Sequence, residues 1–389
     1  MSRENRLQLI RHIQESRDSH VLVYVTGDRH GAQSAIGEDA IRPLYEHLLA
    51  LAENASPKGR LDLFLYSRGG NVSVPWRIVT MIREFYDEFC VLIPYKAYSA
   101  TTMISLGADN IVMGKKAELG PIDPTLVKSA IGEAALPPSE ISVEDVISYL
   151  SFMREKAHLS DQTAIAQIVS QLAEHLTPLT LGSVNRQYSH IRLVARKLLA
   201  SHREKIEESR INTIIDTLTE KMYSHGHAIG RREAAELGLP IEKPDNNLER
   251  LIWELYREYE ELLSLNEPID PEAFLEQQNQ EQVKQRIPLS VIESTERLDL
   301  LQATLLFQRK RQIPSNPQIN INLNLSLPPG YDPNQLTPAA QNQLQQILAQ
   351  VTQLVSLQVQ QEIVRQSPIV GIEVRGYNAS WENQQENMV

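Results

Sequence analysis

Residues 95–114 read YKAYSATTMISLGADNIVMG. Ser99 stands between the apolar run FCVLI at 89–93, strand-like in composition, and the small residues SATTMISLGA at 99–108, which read as a helix. NIVMG at 110–114 then reads as a short buried strand. A serine here has two meanings: a preferred N-cap at a tight turn, or a nucleophile exposed where strand passes into helix.

Upstream, LDLFLYS at 61–67 is a second buried strand, and SRGGNV at 67–72 follows it. Gly69 and Gly70 allow a backbone to approach a ligand where a side chain would obstruct it, or serve as an ordinary turn. PWRIVTMIREFY at 75–86 reads as a helix. Nearer the N-terminus, HVLVYVTGD at 20–28 reads as a strand after an amphipathic helix carrying Leu7, Leu9, Ile10 and Ile13. Ile41, Leu44, Leu48 and Leu51 return at helical spacing. This β-α-β-α-β alternation argues an α/β fold with a parallel sheet and crossover helices.

In order, SRGG, AYSA, LGAD, AELGPIDP at 117–124 and YSHGHAIGRREA at 223–234 resemble the Clp protease proteolytic subunit and signal peptide peptidase A. More specifically, the series over roughly residues 5–242 is similar to the serine dehydrogenase proteinase family of Clp-fold serine peptidases. The resemblance implies a ClpP/crotonase-like spiral of β-β-α units and a serine peptidase acting through an acyl-enzyme on Ser99. It also implies that the N–H groups of Gly70 and Ala100 form the oxyanion hole.

The base stays open. Where the Clp subunit places its histidine, this chain has Ile122, with Asp123 beside it. Signal peptide peptidase A uses a lysine on the helical segment after its serine, and MREKAHLSD at 153–161 puts Lys156 there. His225 is the rival, in the segment that resembles the one carrying the Clp acid, although Gly226 takes the acid's own place. His227 and His158 rank lower. The bland readings are a solvated lysine on a helix face and a turn histidine bonded to backbone. A crotonase-type enzyme acting on a coenzyme A thioester, or a noncatalytic scaffold, would share the same fold.

The chain has 389 residues, 49 acidic against 38 basic, and a net charge of −11, so it carries no general basic field for nucleic acid. The single cysteine, Cys90, lies in an apolar run, which excludes intrachain disulfides and cysteine-rich zinc sites. No HExxH or clustered aspartates suggest a metal, and no GxGxxG follows a strand, so no cofactor is expected. Without a signal-like segment or a long apolar run, the expectation is a cytoplasmic protein with no membrane span, acting on a peptide or protein substrate.

Three regions are expected: a peptidase core over 1–244, a helical packing or interface segment over 245–312, and an Asn/Gln-rich strand-helix tail over 313–389. The middle one holds NNLERLIWELYREYEELLS at 246–264 and VIESTERLDLLQATLLF at 291–307, both read as helices. In the tail, Ile319, Ile321, Leu323, Leu325 and Leu327 alternate as a half-buried strand. Leu344, Ile347, Leu348, Val351, Leu354 and Val355 then share a helix face suited to self-association, so a homo-oligomer is expected.

Overall fold

Buried strands and the helices between them build the first part of the chain. The computed structural model describes residues 2–122, 125–127, 140–142, 146, 149, 151–159, 161–175, 178–221, 227–278, 281–313 and 337–384. The N-terminal helix α1 (Arg3–Arg17) leads into β1 (His20–Thr26), whose residues are all buried. The short hairpin β2 (Asp28–Arg29) and β3 (Ala32–Gln33) follows. Then come α2 (Ile41–Asn54), β4 (Arg60–Tyr66), α3 (Val74–Arg83), β5 (Glu88–Ile93), β6 (Lys96–Ala97), α4 (Ala100–Leu106), β7 (Asn110–Met113) and β8 (Glu118–Leu119).

Val, Ile, Leu and Phe fill β1, β4, β5 and β7 on both faces, the composition of a parallel sheet covered on two sides. The four strands pair in parallel in the order β7-β5-β4-β1, and the strand Ile241–Glu242 adds in parallel to β7. On the other side, β1 pairs antiparallel with the strand Gln282–Glu293. A second, three-stranded sheet joins β6, β8 and Ile229–Gly230. After β5 the chain adds the short strand β6 before α4, and after β7 the short strand β8, which pairs in parallel with β6. A strand, a short strand of a second sheet and then a helix, as in β5-β6-α4, is the β-β-α unit expected of a ClpP-like spiral.

Contacts divide the chain into two compact units: residues 1–269, 287–303 and 378–389, and residues 270–286 and 304–377. In the first, the helix Asn246–Leu262 buries Leu248, Leu251, Ile252, Leu255, Tyr256 and Tyr259 in one cluster with Ile10 and Ile13 of α1. Asp245 caps this helix through the Leu248 N–H at 2.7 Å. Two buried charge networks fasten α1. Arg6 donates to Glu293 at 2.7 Å, and Glu293 also accepts from the Tyr259 hydroxyl at 2.8 Å. Arg17 donates to Asp62 at 2.6 Å and to Glu242 at 2.7 Å.

The expected helix around residues 291–307 is instead part of the strands Gln282–Glu293 and Leu298–Arg311, joined by a turn in which the Ser294 N–H donates to the Arg297 carbonyl at 2.9 Å. Burial alternates along the second strand at Leu301, Ala303, Leu305 and Phe307, a period of two that the dense apolar composition hides. Residues 140–142 form a short strand paired antiparallel with Thr125–Val127. The alternating residues 319–327 lie outside the described residues. In the second unit, the helix Pro338–Gln366 has no buried residue and leaves Ile347, Val351 and Leu354 exposed.

Three buried histidines, His20, His47 and His202, have their pKa lowered by burial, and two of them show how this bears on acid stability. The His20 Nε2–H donates to the Ser56 carbonyl at 2.8 Å, and its Nδ1 lies 2.7 Å from the Tyr86 hydroxyl. His202 donates from Nε2 to the Leu106 carbonyl at 2.7 Å. Burial lowers the pKa of both below the usual histidine value, against the opposing pull of those carbonyls. An unfolded histidine takes up its proton near pH 6.5, and these two only below that. The unfolded state therefore binds more protons as pH falls, and stability is lost from about pH 6.5 downwards. The urea midpoint should drop between pH 7.5 and 5.5, and His20→Gln should flatten that drop; an unaltered slope in the variant would contradict this assignment.

Candidate active site

The site is built where two loops leave the sheet side by side. Ser67 and Ala97 form a parallel bridge: the Ser67 N–H donates to the Lys96 carbonyl and the Tyr98 N–H to the Ser67 carbonyl, both at 3.1 Å. The Thr101 hydroxyl adds a bond to the Ser67 carbonyl at 3.4 Å. On the far side of the first loop, Ile36 bridges Gly70: the Ile36 N–H donates to the Gly69 carbonyl at 2.8 Å, and the Asn71 N–H to the Ile36 carbonyl at 2.9 Å. These bonds leave the Gly70 N–H directed away from Ile36, without an acceptor among the described residues. The Gly69 N–H is different, donating to the Ser67 hydroxyl at 3.0 Å.

Both glycines are required. A Cβ on Gly69, at φ +111, would stand 2.7 Å from the Ser99 Cβ and 2.8 Å from the Tyr98 carbonyl oxygen. One on Gly70, at φ +153, would stand 2.3 Å from the Ile36 carbonyl oxygen. The Gly69 backbone thus lies too close to Ser99 to admit a side chain.

Ser99 immediately precedes α4 with φ 52 and ψ −116, a backbone conformation that a side-chain-bearing residue rarely adopts. Its carbonyl accepts from the Met103 N–H at 3.1 Å, so the residue occupies the N-cap position. Its side chain makes no capping bond, and among the described residues its hydroxyl has no partner. The half-buried Ser99 hydroxyl is therefore uncommitted, as is the N–H of Ala100, which no preceding carbonyl accepts among the described residues.

Sequence reasoning missed the residues that support this geometry. Asp28 accepts from the Tyr66 hydroxyl at 2.8 Å, Lys96 Nζ at 2.9 Å and Arg68 Nε at 3.1 Å, and so ties together the ends of both loops. Burial disfavours its ionised form, but the bonds from Lys96 and Tyr66, with the charges of Lys96 and Arg68, outweigh it and hold its pKa below the usual aspartate value. Tyr98, next to the serine, donates its hydroxyl to Glu118, and its ring packs on Gly120. The one available signal was an aspartate directly after the buried strand of VTGD.

The structure brings Gly69, Gly70, Ser99 and Ala100 together. It places Lys156 on an exposed π-helical turn, Phe152–Lys156, with no bond to Ser99. His225, Gly226 and Asp123 lie outside the described residues. Ile122 is buried at 1% exposure and donates its N–H to the Leu218 carbonyl at 3.0 Å. His227 pairs with Glu233 at 2.9 Å. Cys90 is fully buried, and burial pushes its thiol pKa up, which makes it a packing residue.

Two glycine replacements separate this site from ordinary helix. Gly69→Ala should lower stability by about 1–3 kcal/mol in urea unfolding, the cost of forcing a side chain into such a backbone. Gly182, in the helix Pro178–Ala200, has nothing within 4 Å of an added Cβ, so Gly182→Ala should gain about 0.5–1 kcal/mol. A Gly69→Ala protein as stable as the parent would contradict the packing of Gly69 on Ser99.

No helix among the described residues is long and apolar enough to cross a membrane. Two uncharacterised proteins of Methanocaldococcus jannaschii are similar to the chain. One is 27% identical over 264 residues, 66% of this chain and 79% of its own length. The other is 24% identical over 262 residues, 65% and 76% respectively. Among solved structures, a mutant of the 1510-N membrane-bound stomatin-specific protease is similar over 60% of this chain and 84% of its own, at 16% identity and a TM-score of 0.35. The family model for ClpP-like SDH-type serine proteinases matches residues 1–284, and the chain belongs to that family.

Proposed function

We propose that the chain cleaves peptide bonds through an acyl-enzyme on Ser99. The observation that carries this reading is the Ser99 backbone at φ 52, next to Gly69, with a hydroxyl and two N–H groups that have no partner among the described residues. The Ser99 Oγ attacks the carbonyl carbon of the scissile bond, and its proton passes to a base. The carbonyl oxygen becomes negative and accepts from the Gly70 and Ala100 N–H groups. Donors of this kind, fixed before reaction, are each worth about 2.7–4 kcal/mol of barrier elsewhere. The C–N bond then breaks, the amine departs with the proton, and water releases the acid from Ser99 by the reverse sequence.

Gly70, rather than Gly69, is the donor in this reading. Its N–H has no acceptor among the described residues, whereas that of Gly69 is occupied by the Ser67 hydroxyl. Lys156 and His225 remain the two candidates for the base. Lys156 has its amine free of any ion pair among the described residues, and would have to reach Ser99 from an exposed turn.

A fluorophosphonate probe with intact-mass analysis tests the serine and ranks the bases. The parent protein should gain one phosphonyl group, and Ser99→Ala none. Labelling should fall by at least about a hundredfold in whichever of Lys156→Ala and His225→Ala removes the base, the lower range for general-base catalysis. Undiminished labelling of Ser99→Ala would overturn the assignment.

A further inference from the structure

Between residues 186 and 197 the helix Pro178–Ala200 carries five Arg, His or Lys side chains, and they divide into two groups. Arg192 donates to Asp216 at 2.5 Å and to Thr219 at 3.1 Å, and Arg196 pairs with Glu208 and Asn212. Arg186, His190 and Lys197 meet no carboxylate among the described residues. Arg186 donates to the Ser183 hydroxyl at 2.9 Å, His190 Nε2 lies 3.3 Å from the Ser73 hydroxyl, and Lys197 Nζ sits 5.4 Å over the Trp76 ring.

At 100° per residue these three share one face, within about 40° of one another. They are exposed and line up over about 16 Å at 1.5 Å per residue. Arg186 and His190 also border a depression of about 630 Å³ together with Gln187 and Leu193. The line is anchored next to the candidate active site. Ser73 and Trp76 belong to the first turn of α3 and its N-cap, only three and six residues beyond Gly70. The backbone between is fixed, since the Ser73 N–H donates to Asn71 Oδ1 at 2.9 Å and the Asn71 N–H to the Ile36 carbonyl.

We infer that this line of Arg186, His190 and Lys197 binds acidic side chains of the peptide substrate beyond the scissile bond. The inference rests on the peptidase reading of Ser99. An extended peptide advances about 3.3 Å per residue, so the line matches about five residues of substrate passing Ser73, which meets the line at His190. The chain as a whole carries a charge of −11, which would repel acidic peptides. A basic line that meets no carboxylate among the described residues offsets that repulsion where the substrate lies and supplies selectivity by charge complementarity.

The test uses the full chain carrying Ser99→Ala and two fluorescein-labelled octapeptides, one alternating Glu with Ala and the other Gln with Ala. By fluorescence anisotropy at about 50 mM salt, the Glu peptide should bind about tenfold more tightly. The gap should shrink at about 500 mM salt, as expected for exposed pairs. The charge reversals Arg186→Glu and Lys197→Glu together should remove the preference, and the milder Arg186→Gln should reduce it. Equal binding of the two peptides, or a preference that survives charge reversal, would overturn the inference. On the unmutated protein, unlabelled Glu peptide should slow fluorophosphonate labelling more than the Gln peptide, and equal slowing would place the acidic site elsewhere. Absence of any labelling would count against the Ser99 reading, while the anisotropy result would still decide the basic line.

Discussion

The parallel bridge between Ser67 and Ala97 is the constraint on which the candidate site depends. Two backbone bonds of 3.1 Å make the loop after β4 and the loop before α4 run alongside each other. With the second bridge, Ile36 to Gly70, the glycine loop is held from both sides and its free N–H can point only outward from Ile36. Ser99 sits next to Gly69 in a conformation that costs about 1–3 kcal/mol on its own. The surrounding sheet supplies that energy. Ala97, Ala100, Met103 and Ile104 are all fully buried, so α4 cannot shift to relax the turn.

Electrostatics works in the same direction. Asp28 gathers Tyr66, Arg68 and Lys96, one side chain from the end of β4, one from the glycine loop and one from β6. Further from the site, the Arg6–Glu293 and Arg17–Asp62 pairs are buried, and removing one partner of such a pair is strongly destabilising, by about 3–5 kcal/mol. They fix α1 against β4 and against the antiparallel neighbour of β1. The membership of a serine proteinase family and this rigid serine turn therefore support one another from independent directions.

The parallel sheet was legible because its strands are short apolar runs separated by helices with clear spacing, as in Ile78, Val79 and Ile82 of α3. The hairpin at residues 282–311 was not, since LDLLQATLLF is too densely apolar to reveal its period. At the site, the serine turn and the glycine pair stood out in the ordered motifs. Their supports did not: Asp28, Glu118 and Ile36 reach the site from loops and short strands, and only the fold makes them neighbours. The line of Arg186, His190 and Lys197 was hidden in a helix that also carries Arg192 and Arg196, and which cations are paired depends on a second helix, Glu208–Asp216.

The most direct measurement is a crystal structure of the protein phosphonylated by the same class of probe. The account predicts a phosphorus atom bonded to Ser99 Oγ and a phosphoryl oxygen about 2.7–3.1 Å from both the Gly70 and Ala100 nitrogens, the range expected of oxyanion donors. A phosphoryl oxygen turned to solvent with both N–H groups unused, or an adduct on another residue, would contradict it.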